Sequence, residues 1–251
     1  CDFLGDTPLN KLTLPRIKSG FTKLKVEGPK GYPLSDRTLN YYLTAINCVL
    51  NEATDLKLIK TNPTKIHSGR KRGLWRKLPK STRPLFTELE KESLRAAAIN
   101  HCPRNGRQLA DLINLLCYCG ARVGVALRLR WADVDWDNRL LTLARDGDSK
   151  SNSSRTLQLN PDLEAHLSDM YERRADDEWI FPSGKRGNNG AAAKTFYPAL
   201  RKAREKAGLG SKREEDKGQK AVFHDCRHYF ASMCVMAGVD FKTIAEWLGH
   251  D

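Results

Sequence analysis

The chain has 251 residues, 40% of them hydrophobic, which is enough for one large or two ordinary packed domains and excludes global disorder. No apolar run approaches the roughly 18 to 20 residues of a bilayer span, so a membrane-embedded chain is excluded as well. A formal net charge of +13 points instead to a polyanionic partner.

No signal-peptide pattern opens the sequence, and because it starts at Cys1 rather than methionine, its front is expected to be missing. The first helix is expected over about Leu14 to Leu24. A stronger one follows Ser35, a capping residue, with Leu39, Leu43, Ile46, Leu50 and Ala53 on one face. Asn62-Pro63 ends that segment. Residues 1–68 thus read as a small helical domain, expected to be partial. Between Leu56 and Thr87 no acidic residue occurs, yet ten Lys or Arg do. Residues 69–83 are the heart of this stretch and read as a linker lying along DNA phosphates, with Arg70, Lys71, Arg72, Arg76, Lys77 and Lys80 as backbone contacts.

A second domain, residues 84–251, opens with a capping box in which Thr87 caps and Glu90 reaches back. Its first helix is expected to run to about Asn100. The segment "RQLADLINLLCYCG" is apolar nearly all round, hence a buried helix, and Gly120 stops it. The runs "LLTLA" and "RTLQL", separated by turn formers, predict a hairpin with a long tip. Asn160-Pro161 starts another helix, and "KTFYPALRKAREKAGL" predicts one that Pro198 kinks or starts. The fold class expected is mainly α with a small antiparallel β-sheet. The seven cysteines are scattered without disulfide or zinc-ribbon spacing, which predicts reduced thiols in a cytosolic core.

Near the end, "FHDCRHYFAS" places His224 and Arg227 three residues apart, on one side of a helix. Phe230, Met233 and Ala237, with Tyr229 beside them, are expected on the buried side. A histidine and an arginine sharing a face suit an oxyanion, since arginine forks to two oxygens and histidine moves or donates a proton. Arg122 follows the helix stop at Gly120 and stands beside a new helix N-terminus, where amide donors and the dipole favour anions. Arg128 and Arg130 read as surface charges. In the last segment, "MCVMAGVDFKTIAEWLGH", Phe241, Ile244, Ala245 and Leu248 are expected to be buried.

Together "GARVGVALRLRW", "FHDCRHYFAS" and "AGVDFKTIAEWLGH" resemble the three signature boxes of the tyrosine recombinases, the phage-integrase family. The resemblance covers about Glu88 to Asp251, and the first domain is similar to the family's helical core-binding domain. It implies that Arg122 and Arg227 clamp the scissile phosphate and that His224 assists proton transfer. It implies further that His250 donates a hydrogen bond to a phosphate oxygen and that Lys150, five residues before Arg155, protonates the leaving 5′ oxygen. Two positions depart from the family pattern: Val125 stands where glutamate is usual, and Gln158 replaces a proline. No metal or other cofactor is expected, because such a set of cations serves phosphoryl transfer by itself.

The resemblance also implies a tyrosine nucleophile about nine residues beyond the Leu-Gly-His box. None of Tyr32, Tyr41, Tyr42, Tyr118, Tyr171, Tyr197 and Tyr229 is assigned that role, so the sequence is expected to stop short of it. The implied protein is a site-specific DNA strand transferase that works as a homo-tetramer on double-stranded DNA, in the cytoplasm at a bacterial or phage-host nucleoid. Three alternatives remain open at this point. One is a helix-turn-helix regulator reading bases with Lys242, Thr243 and Glu246. The others are a catalytically inactive relative and an enzyme like the type IB topoisomerases or telomere resolvases.

Overall fold

A computed structural model of the chain describes residues 7–65, 74, 76, 86–143, 154–183, 191–209 and 223–249. The chain divides into two compact units, Cys1–Ser81 and Thr82–Asp251.

In the first unit a 3-10 turn, Leu9–Lys11, precedes helices α1 (Leu14–Val26) and α2 (Asp36–Asp55). The Ser35 hydroxyl caps α2, accepting a bond from the Thr38 amide at 3.2 Å. Ile17, Phe21 and Leu24 of α1 bury against Leu39, Leu43 and Leu50 of α2, with Leu74 in the same cluster. The chain leaves α2 through a polar knot. Buried Asn62 donates to the side-chain oxygens of Asn47 (2.7 Å) and Asn51 (2.8 Å) and accepts from the Thr64 amide (2.8 Å). Pro63 donates no amide bond, so the asparagine side chain fixes the path past the helix end. Farther along, the Asn40 amide group and the Arg76 backbone exchange two bonds of 2.9 Å, which hold this part of the basic stretch to α2.

The second unit is built on α4 (Gly106–Cys119), whose residues from Leu109 to Cys117 are all buried. A helix apolar on every side must be enclosed. Helices α3 (Glu88–His101), α6 (Pro161–Glu172), α7 (Tyr197–Lys206) and α8 (Phe223–Met236) pack on it. The capping box at the start of α3 forms as the sequence predicts, with Thr87 and Glu90 bonded reciprocally. The Asn160 side chain caps α6 through the Leu163 amide, and Pro198 stands in the first turn of α7. Between α4 and the sheet lies the short helix α5 (Val123–Ala126).

The sheet has the order β1 (Val134–Asp135), β2 (Leu140–Leu143), β3 (Arg155–Gln158), antiparallel throughout, with Leu141 opposite both Val134 and Leu157. Leu141, Leu143 and Leu157 face the core, the alternation that a half-buried sheet requires. Helix α9 (Phe241–Leu248) follows α8 after a turn at Gly238.

Three residues expected to be buried are exposed, and Ala245 is half-buried. Met233 is 44% exposed, Ala237 is exposed, and Phe241 is 78% exposed. The buried stripe of α8 runs through Phe223, Cys226 and Phe230, and beyond it the same face borders an open apolar groove of about 650 Å³. Phe241 is the first residue of α9, where Ile244 and Leu248 supply the burial.

Candidate functional site: a phosphate corner at two glycine-capped helix ends

Both α4 and α9 end on a glycine in the left-handed conformation, Gly120 (φ 61°) and Gly249 (φ 63°). Such caps turn the chain sharply and leave the last carbonyls of the helix without helical partners. Gly120 is required for a second reason. A Cβ there would fall on the Phe230 ring and come within 2.8 Å of Leu248 Cδ2. The missing side chain is what lets α8 and α9 close over the end of α4.

Arg227 uses the carbonyls at these ends. Its side chain is 3% exposed, and its guanidinium donates to Gly120 O at 2.8 Å and Leu248 O at 2.5 Å. Each acceptor lies at the negative end of a helix dipole, which stabilises a cation without neutralising it. Immediately after Gly120 and buried Ala121, Arg122 becomes the N-cap of α5 and is exposed. Its Nη2 reaches the Gly249 carbonyl at 3.4 Å, a long bond that still places it at the end of α9. The two arginines picked out from the sequence, 105 positions apart in number but fixed at the same corner, are thus brought together by the two glycine caps.

A third guanidinium belongs to this corner and was not singled out from the sequence. Arg155 opens β3, and a Cβ on Gly249 would fall on its Nη1. Burial first, then Arg122 and Arg155, pull the Arg227 pKa down to about 10, and burial followed by Arg122 lowers that of Arg155. Both remain cations at neutral pH. The only trace of Arg155 in the sequence is its spacing from Lys150.

His224 lies exposed in the first turn of α8, three residues before Arg227, with its ring edge-on to His228 at 4.6 Å. Lys150 and His250 lie outside the described residues, as do Arg70, Lys71, Arg72, Lys77 and Lys80. Arg76 is described, and its Nε stands 3.4 Å from Asp36 Oδ1. Tyr229 packs edge-on against Phe86, and its hydroxyl donates to Glu88, which also pairs with buried Lys91 at 2.5 Å. Burial and the bond to Glu88 raise the Tyr229 pKa. Among the described residues no three His, Cys, Asp or Glu side chains could hold a metal ion, and no helix is long and apolar enough to cross a membrane.

Residues 86–251 match the Phage integrase family. The chain belongs to that family. Among curated proteins it is similar to the tyrosine recombinase XerA of Pyrococcus furiosus, 28% identical over 69% of this chain and 56% of the relative. It is likewise similar to the tyrosine recombinase XerD of Caulobacter vibrioides, 30% identical over 68% of this chain and 56% of the relative. The chain thus spans little more than half the length of these curated relatives. Among solved structures, the integrase of transposon Tn1549 in complex with a circular intermediate DNA superposes with a TM-score of 0.77 at 18% identity. That likeness covers 99% of this chain and 80% of the solved integrase fragment, residues 82–397. A dimer of lambda integrase residues 75–356 bound to a COC' core site gives 0.71 at 19% identity, covering 100% of this chain and 80% of that fragment. At such identities the likeness is one of fold: mainly helical, with the small antiparallel sheet of an integrase-family catalytic domain.

Proposed function

We propose that this integrase-family chain handles the scissile phosphate and the flanking duplex in a site-specific DNA recombinase. The observation that carries the reading is the corner where Arg227, its guanidinium held by two helix-end carbonyls, stands with Arg122 at the end of α9. A phosphodiester gains negative charge as it is attacked, and fixed guanidinium groups favour that state over the ground state. Arg122 and Arg227 bind the nonbridging oxygens, His224 assists proton transfer, and His250 donates to a phosphate oxygen. A tyrosine oxygen attacks phosphorus and the bond from phosphorus to the 5′ oxygen breaks. Lys150 supplies the proton with which that oxygen leaves as a hydroxyl. The 3′-phosphotyrosyl ester keeps the bond energy, so attack by the 5′ hydroxyl of another strand rejoins DNA and restores the tyrosine without ATP.

In this reading residues 1–68 are the core-binding domain, 69–83 a linker on DNA phosphates and 84–251 the catalytic domain. Four protomers assemble on two sites; lambda integrase has been seen as a tetramer bound to a Holliday junction.

The test is trapping of the complete protein on a nicked suicide substrate carrying its recombination site. A covalent protein–DNA adduct is expected, and Arg227→Ala should reduce its rate by about 10³-fold or more, the loss of a principal oxyanion contact. Site-specific binding without any adduct would mark a regulator or an inactive relative instead, and an undiminished Arg227→Ala rate would remove the proposed mechanism. For the linker, neutralising Arg70, Lys71 and Arg72 together should weaken binding to all sequences alike and flatten its salt dependence by about three phosphate contacts. Loss confined to one site sequence would contradict a backbone role.

A further inference from the structure

Arg155 is held differently from Arg227 and Arg173. Arg227 has its two carbonyls. Arg173, on the opposite half of α4, has a bidentate carboxylate in Asp111, at 2.8 and 2.9 Å. Among the described residues Arg155 has neither: its Nε and Nη2 are buried and find no hydrogen-bond partner there. Its Nη1 lies against Gly249, the residue whose carbonyl receives Arg122. Among the described residues, the charges acting on it are those of Arg122, which repels it, and the Cys119 thiol. That thiol is fully buried, and burial pushes its pKa up to about 11, so it is neutral at physiological pH and offsets nothing.

A desolvated cation with no counter-charge is costly to keep, and folds retain such groups where an incoming ligand completes them. Here the space is shaped for it. Gly249 has no side chain, and the guanidinium occupies the place that one would take.

We propose that Arg155 is a third cation of the phosphate corner, a positioning residue whose uncompensated charge and contact with Gly249 prepare the site for the doubly negative state of an attacked phosphodiester. The proposal rests on the reading of the corner as a phosphate site and deepens it. Two arginines balance a phosphate that carries two charges, and a third cation, engaged by no carboxylate among the described residues, makes the charged intermediate state the one that the corner fits best. Its sealed nitrogens act through the field and through Gly249 rather than by touching the substrate.

The probe is inorganic phosphate, titrated at constant ionic strength by isothermal calorimetry against the full chain, with Tm measured separately in chloride buffer. The unmodified chain should bind phosphate saturably. Arg155→Met keeps the volume and removes the charge. It should weaken that binding about tenfold or more while leaving Tm in chloride unchanged or raised, because an unpaired buried charge has gone. Arg155→Lys, which keeps the charge, should restore binding to within about threefold. A structural role predicts the reverse pattern, with Tm lowered in Arg155→Met and phosphate binding kept. The proposal is overturned by that pattern, by an Arg155→Met chain that does not fold, by a lysine variant as weak as the methionine one, or by an unmodified chain that binds no phosphate. None of these results depends on strand transfer, so failure of the covalent adduct assay with an intact phosphate profile would sink the recombinase reading alone.

Discussion

The two halves of α4 each anchor a guanidinium, and they do it in opposite ways. Near its start, Asp111, buried within an otherwise apolar stretch, receives both ends of Arg173 from the end of α6. Burial works against that charge, but hydrogen bonds to Asp111 and Asp169 outweigh it and raise the Arg173 pKa. At the other end of α4, Arg227 is given backbone carbonyls, and burial together with Arg122 and Arg155 lowers its pKa to about 10. A carboxylate satisfies a cation and cancels it. A pair of helix-end carbonyls satisfies its donors and leaves the charge for something else. The first arrangement is what a seam between helices needs, and the second is what an anion site needs.

The linkage signs differ accordingly. A raised pKa means that Arg173 contributes stability throughout the range in which the unfolded side chain is charged. A lowered pKa means that Arg227 costs the fold something at neutral pH, a cost that would fall as pH rises past about 10 toward the unfolded value.

The sharpest way to break this comparison is at Gly120. Replacement by alanine forces a side chain into the left-handed region and onto the Phe230 ring, and it moves the carbonyl that Arg227 holds. The backbone penalty of roughly 1 kcal/mol and overpacking of about 1 to 3 kcal/mol together predict a loss of about 2 to 4 kcal/mol. Urea unfolding of Gly120→Ala reads this directly. Phosphate binding should fall in the same variant even well below its midpoint, because the corner and the core share this residue. A variant destabilised to that extent but binding phosphate normally would show that the helix end and the anion site are separable.

Local chemistry made much of this fold legible in advance. The caps at Ser35, Thr87 and Asn160 act within three residues, so their sequence signature and their geometry are the same fact. The enclosure of α4 followed from its all-round apolarity, and the hairpin from two alternating runs around turn formers. Met233, Ala237 and Phe241 were misread because periodicity identifies an apolar face without saying whether anything covers it. At the site, Arg122, His224 and Arg227 were legible through motif boxes. What those boxes do not carry is what holds the Arg227 guanidinium in place, the carbonyls of Gly120 and Leu248. Arg155 escaped notice because an arginine opening a short strand has no local mark. Its meaning comes from Gly249, far along the chain, having no side chain. Asp111 is similar: its partner is 62 positions away.

Asp111→Asn sharpens the comparison with a smaller effect. The substitution keeps the shape and removes the charge, leaving Arg173 with a neutral acceptor in place of one oxygen. Arg173 has 32% of its side chain exposed, so water recovers part of the lost interaction, and Asp169 still pairs with it at 2.9 Å. The full penalty for breaking a buried pair, about 3 to 5 kcal/mol, is therefore discounted to roughly 1 to 2 kcal/mol. Thermal or urea unfolding should register that loss. Phosphate binding, measured under conditions where the variant is folded, should stay within about twofold of the unmodified chain, since a pair beyond a Debye length and self-neutralised contributes little field at the corner. A larger drop in phosphate affinity than in stability would mean that the two halves of α4 are coupled, and that the carboxylate-held arginine also serves the site.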